Sequence, residues 1–212
     1  MHLAVGLFLC AIYGARVVGQ SAFLAGQMLD SLTLPSLEIF AYFSYDDNPS
    51  PVWPSDSFLA LADRSRFGEH LVRLEIRALV TDAELLCCLL LLPWLEDLVV
   101  FDSPPHIFIT DTLLQAPVCT SSTPPLVPRL DYLRLSSVLG FTDSVLVDVI
   151  TSRMMHMRML SRLNGVFQAD VWWFLARQPE MSPETLAKLS ELVLEGGFNF
   201  ESGLDADDGY WR

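Results

Sequence analysis

Four cysteines and four histidines are the side chains of this chain best suited to hold a metal or to act as nucleophile and base. They stand at Cys10, Cys87, Cys88 and Cys119, and at His2, His70, His106 and His156. Metal ligands recur in closely spaced sets because several must converge on one ion. No Cys-x-x-Cys occurs, and no histidine lies within ligand spacing of another histidine or cysteine. Cys87 and Cys88 are adjacent in an apolar run and cannot easily pair with each other. They read as buried free thiols of a reducing compartment. His70 beside Glu69 has the make-up of an acid–base pair, but its place before a strand predicts a surface pair. No Gly-x-Ser-x-Gly, Walker A or Gly-x-Gly-x-x-Gly motif is present. Asp205-Ala206-Asp207-Asp208-Gly209 falls one residue short of a calcium loop and reads as a solvated acidic tail. No catalytic, metal-binding or cofactor-binding residue is expected.

The remaining chemistry is that of recognition. Side chains alternate along a strand, so residues between core leucines share one surface. Those residues are Ile39, Ala41 and Phe43; Arg73, Glu75 and Arg77; Asp97, Val99 and Phe101; and Tyr132, Arg134 and Ser136. Tyr, Phe and Arg are the types that anchor interfaces. The expected partner-binding set is therefore Phe43, Arg73, Glu75, Arg77, Asp97, Val99, Phe101, Tyr132 and Arg134. Three of only 13 basic residues fall in it, which predicts a positive strip able to read acidic or phosphorylated segments. Met154, Met155, Met157 and Met159, and Trp172-Trp173-Phe174, read as packing residues.

The elements that position this surface recur. Leu34-Pro35-Ser36-Leu37, Leu92-Pro93-Trp94-Leu95 and Val127-Pro128-Arg129-Leu130 each open an L-x-x-L-x-L core. The core positions are Leu37, Phe40, Tyr42; Leu71, Leu74, Ile76; Leu95, Leu98, Val100; and Leu130, Leu133, Leu135. Thr81-Asp82, Thr110-Asp111 and Thr142-Asp143 each precede an apolar run with helical spacing, so each predicts a helix N-cap. The unit is a strand, a loop, a Thr-Asp cap, a helix and a return. Its anchors Leu37, Leu71, Leu95 and Leu130 stand 34, 24 and 35 residues apart. The surplus lies in proline-rich loops at 46–56 and 116–127. Such units bury their apolar sides only by stacking. The expected fold is α/β, an irregular leucine-rich-repeat solenoid with parallel strands on the concave side and helices on the convex side; an ordinary parallel α/β domain is the alternative.

Across 212 residues, 51% hydrophobic and 18% charged, the chain is too apolar for disorder. A net charge of −13 argues against nucleic acid or an anionic membrane as partner. Asn48-Pro49-Ser50 is blocked as a glycosylation site by its proline. Residues 3–15 are uncharged and apolar, then Arg16 interrupts. That stretch reads as a buried helix or truncated first repeat, with a signal peptide or membrane anchor as alternatives. The divisions are 1–30, an apolar N-terminal segment; 31–175, irregular repeats; and 176–212, a capping helix (Ser182 cap, Pro183 first) and acidic tail.

The alternation of L-P-x-L-x-x-L-x-L with Thr-Asp-x-x-Leu, over residues 67–100, 109–114 and 127–150, resembles the leucine-rich-repeat region of F-box proteins. More narrowly it resembles the F-box/LRR families of mushroom-forming fungi. The resemblance implies the substrate-recognition part of a Skp–cullin–F-box ubiquitin ligase, a protein-interaction module of the cytoplasm or nucleus. The Asn or Cys of the standard repeat is replaced at Tyr45, Leu79, Ser103 and Val138, so no asparagine ladder is expected. Residues 1–30 lack an F-box, so a Skp-type adaptor is implied only if an F-box lies upstream. A secreted or membrane-attached repeat protein is the alternative, should residues 1–20 be a signal peptide.

Overall fold

Short apolar runs closed by turns become strands, and apolar runs opened by caps become helices. The computed structural model describes residues 5–10, 14–19, 22–43, 52–101, 109–117, 125–137, 140–159, 167–174, 181–195 and 198–205. In chain order they form β1 (Val5–Cys10), β2 (Gly14–Gly19), α1 (Ala22–Asp30), β3 (Ile39–Phe43), α2 (Ser55–Ser65), α3 (Phe67–His70), β4 (Arg73–Arg77) and α4 (Asp82–Leu90). There follow β5 (Asp97–Phe101), α5 (Asp111–Gln115), β6 (Tyr132–Ser137), α6 (Asp143–Met159), β7 (Phe167–Phe174), α7 (Pro183–Leu194) and β8 (Phe198–Asp205).

Each proline-marked segment closes the same turn. The N–H of Leu37 bonds the Leu34 carbonyl at 3.2 Å, that of Leu95 the Leu92 carbonyl at 3.1 Å, and that of Leu130 the Val127 carbonyl at 3.1 Å. Proline sits second in each turn, where its fixed φ fits and its missing N–H costs nothing. Two successive N–H groups then converge on one carbonyl of the preceding unit. Val72 and Arg73 donate to Glu38 O, Glu96 and Asp97 to Val72 O, and Asp131 and Tyr132 to Glu96 O, all at 2.8–3.0 Å. This repeated bond sets the register of the next strand.

The eight strands pair in sequence order, β1 antiparallel to β2 and every later pair parallel. The fold is therefore α/β with a parallel sheet, as expected. Phe40, Tyr42, Leu74, Ile76, Leu98, Val100, Leu133, Leu135, Ala169 and Val171 are buried in one cluster. Leu29, Phe58, Leu61, Leu85, Leu89, Leu113, Leu146, Val149, Ile150 and Leu189 bring the helices into the same cluster. Ala41, Phe43 and Val99, from the opposite face of the sheet, are buried but lie outside it. The first unit is filled by aromatic rings: Phe40 meets Phe58 edge-on at 5.2 Å, and Tyr42 meets Trp53 at 5.3 Å.

The helix caps follow the Thr-Asp pattern. The Thr81 hydroxyl accepts from the Glu84 N–H, while the Glu84 carboxylate accepts from the Thr81 N–H at 2.8 Å, a reciprocal capping box. Thr110 accepts from the Thr112 N–H, and Ser182 from the Thr185 N–H at 3.1 Å. At α6 the Thr142 hydroxyl meets Asp111 and Ser144 side chains instead. The aspartates carry a second pattern. Asp82 accepts from the Thr110 hydroxyl, Asp111 from the Thr142 N–H at 2.6 Å, and Asp143 from the Ser182 N–H at 2.8 Å. In place of an asparagine ladder, these aspartates tie the starts of α4, α5, α6 and α7 in succession, a Thr-Asp ladder that ends on Ser182.

Two expectations are corrected. Residues 3–15 read as a buried helix or truncated first repeat; the helix is not found, since 5–10 and 14–19 are the strands of an antiparallel hairpin. Glycines at 6, 14 and 19 disfavour helix, and Val17 and Val18 favour strand. At the other end the strand that begins at Phe198 runs to Asp205, reaching the first residue of the expected tail, and it extends the same sheet. Val127 adopts φ 49, a left-handed conformation costly for a β-branched residue. Arg153, fully buried in α6, donates to the neighbouring Leu126 carbonyl at 2.8 Å and ties this turn down.

Candidate interaction face

Parallel pairing brings the expected surface residues into three rows. Ile39, Arg73, Asp97, Tyr132 and Gln168 stand in register across β3 to β7. Ala41, Glu75, Val99, Arg134 and Asp170 form the second row, and Phe43, Arg77, Phe101, Ser136 and Trp172 the third. Neighbours in a row are separated by one strand spacing, ~4.8 Å. All nine expected partner-binding residues thus share one face, opposite the helix-packed core.

The charge of this face differs from the expected positive strip. Glu75 lies between Arg73 and Arg77 on the same strand face and is 7% exposed. Its Oε1 accepts from Arg77 Nε at 2.8 Å and lies 2.7 Å from Arg77 Nη2. Its Oε2 accepts from Arg73 Nη2 at 3.4 Å, and Arg73 Nη1 also approaches Asp97 at 3.6 Å. Residues two apart on a strand point the same way, so Arg73-Glu75-Arg77 is bound to compensate itself. Burial raises the Asp97 carboxyl above its ordinary range, and the nearby Arg73 pulls it partly back.

Aromatic rings order the arginines. The Arg77 guanidinium lies 3.8 Å from the Phe101 ring centroid and 5.8 Å from that of Phe43. Arg134 approaches the same Phe101 ring at 5.5 Å. The Tyr132 hydroxyl donates to Asp170 Oδ2 at 2.5 Å, and Gln168 Nε2 donates to Asp170 Oδ1 at 3.2 Å. Burial, then the Asp170 carboxylate, pushes the Tyr132 phenol up to about 12.

Gln168 and Asp170 belong to the face and were missed in the sequence. Their strand lacks the L-x-x-L-x-L core, yet Phe167, Ala169 and Val171 alternate with Gln168 and Asp170 as a half-buried strand must. Cys88 is buried as expected, its thiol pushed up to about 12 by burial, whereas Cys87 is exposed. His70 and Glu69 form an exposed pair at 3.8 Å. Met154 is buried and Met155 is 56% exposed, so only the first is a packing residue here. The side chains of Met157, Met159, Trp172, Trp173 and Phe174, and residues 46–51, 118–124 and 206–212 of the proline-rich loops and acidic tail, lie outside the described residues. Among the described residues no cluster of His, Cys, Asp and Glu is arranged to hold a metal, and no helix is long and apolar enough to cross a membrane.

No family model matches this chain, and no curated protein and no solved structure matches it significantly.

Proposed function

We propose that this chain is a protein-interaction module, an irregular leucine-rich-repeat solenoid whose concave side is the face built by Arg73, Arg77, Phe101, Tyr132 and Arg134. The observation that carries it is the register that aligns all nine expected residues in three rows. The repeat character is supported by equivalent positions making equivalent bonds: the proline turns, the shared carbonyls and the Thr-Asp ladder. Trp94 and Arg129, each the third residue of its turn, stack on one another at 3.5 Å. By resemblance, the module is the substrate-recognition part of an F-box ubiquitin-ligase receptor of the cytoplasm or nucleus. A Skp-type adaptor joins it only through an F-box upstream. The partner is a polypeptide with an acidic or phosphorylated segment.

Site-specific crosslinking tests this. A photoreactive phenylalanine analogue at Phe101 or Tyr132 should capture the same polypeptide in cells. The analogue at Leu194, 87% exposed on α7, should not. Capture of one polypeptide equally from all three positions, or only from Leu194, overturns the assignment of the binding face.

A further inference from the structure

We infer that Arg134 is the anchor of this face and that it takes a single aspartate or glutamate side chain of an extended partner segment. This rests on the proposed docking role of the face and names its central contact. Three arginines stand in the rows from β3 to β7, and two are already engaged; Arg16 of β2 continues the second row beside Ala41. Arg77 holds Glu75 at 2.7 and 2.8 Å, and Arg73 is divided between Glu75 and Asp97. Arg134 forms no ion pair among the described residues, and its buried Nε has no hydrogen-bond partner. Its side chain interacts with the Tyr132 hydroxyl. That hydroxyl gives its proton to Asp170, so towards Arg134 it acts only as an acceptor. A guanidinium carries five N–H donors in a fixed fork, and one hydroxyl oxygen leaves most of them unused.

Charge decides what fills the fork. Arg134 offers one positive charge that no described carboxylate contacts directly, while Asp170 stands opposite it and Glu75 two strands away in the same row. A phosphomonoester brings about −1.5 to −2 at neutral pH, a surplus beside those carboxylates. A carboxylate brings one charge in a planar shape that accepts two parallel N–H bonds. Phe101, one row away, keeps water from one side of the guanidinium and strengthens the pair.

The test uses the whole chain and pools of short synthetic peptides with random flanks and a fixed central Glu, phosphoserine, Gln or Lys, read by fluorescence polarisation. The Glu pool should bind and the Gln pool should not. Arg134→Gln should weaken the Glu pool about tenfold, the loss of roughly one charge-assisted contact. Arg134→Glu should transfer preference to the Lys pool. Phe101→Ala should weaken whichever pool binds. Tighter binding of the phosphoserine pool than of the Glu pool overturns the carboxylate assignment. Unchanged Glu-pool binding in Arg134→Gln, with loss in Phe101→Ala, moves the anchor elsewhere on the same face. Absence of binding by every pool, or binding indifferent to both substitutions, ends the docking role as well. Should Arg134→Gln fail to fold, Arg134→Lys keeps the charge but loses the fork. It must then bind the Glu pool more weakly than the native chain, and equal binding overturns the inference.

Discussion

Asp111 holds Thr142 twice, accepting its backbone N–H at 2.6 Å and its hydroxyl at 3.2 Å. The first residue of one helix thereby fastens the entry to the next, 31 positions along the chain. Asp82 fastens Thr110 through its hydroxyl, and Asp143 fastens Ser182 through its backbone N–H. The aspartate does two things at once. It places negative charge at the positive end of its own helix, and it satisfies a donor at the start of its neighbour. The Thr-Asp pair is thus a coupling between units as well as a cap.

Asp111→Ala should lower stability by about 1–2 kcal/mol, the range for losing a helix cap. Amide exchange at Thr142 should quicken in the variant, because its N–H loses its acceptor. Thermal melting and hydrogen exchange check the two parts. Unchanged melting together with unchanged exchange at Thr142 would remove the ladder as a stabilising element.

The caps at Thr81 and Thr110 were legible because capping is local: a short side chain meets an N–H two or three residues on. The strands β4 and β6 were legible because Leu74, Ile76, Leu133 and Leu135 alternate with polar residues, and β5 because Leu98 and Val100 keep the same core spacing. The ladder was not legible, because which aspartate meets which threonine depends on the stacking of units far apart in sequence. The hairpin of β1 and β2 was not legible as strands, since a short apolar run suits a strand and a buried helix equally. The neutralised arginines are a different case. Arg73, Glu75 and Arg77 stand at i, i+2 and i+4 on one strand, so their mutual pairing was written in the sequence.

Leu133 and Arg73 lie on opposite faces of the same sheet and should respond differently to truncation. Leu133 is 2% exposed within the core cluster, so Leu133→Ala should cost about 2–5 kcal/mol. Arg73 is partly exposed, and its ion pairs are long, so Arg73→Ala should stay within about 0.5 kcal/mol. Denaturant titration of both variants measures this. Equal costs would mean that the two sheet faces are equally packed.

Cys87 and Cys88 are neighbours with opposite reactivity. The thiolate is the nucleophile, and burial holds Cys88 at about 12. At mildly alkaline pH the folded chain should therefore be alkylated at Cys87 and spared at Cys88. After denaturation both should react. Fragment mass spectra of the peptide carrying both cysteines resolve the two sites. Rapid alkylation of Cys88 in the folded chain would place it outside the core.

Asp97 gives the face a pH dependence of definite sign. Its carboxyl is raised from 3.8 in the fold, chiefly by burial. A raised acid is harder to ionise in the folded chain than in the unfolded chain. Below 3.8 it is protonated in both states and contributes no difference. As pH climbs through 3.8 and then through the raised value, the unfolded chain releases its proton first, and the fold loses stability. Above that window the penalty is complete and constant. Asp97→Asn removes the ionisation and leaves Arg73 its contact with Glu75. The variant should therefore lack this loss, gaining on the native chain as pH rises through the window and keeping the gain at neutral pH. Stability measured by denaturant at a series of pH values, native against Asp97→Asn, checks it. A gap that shrinks or reverses as pH rises would show that the Arg73 ion pair outweighs burial at Asp97.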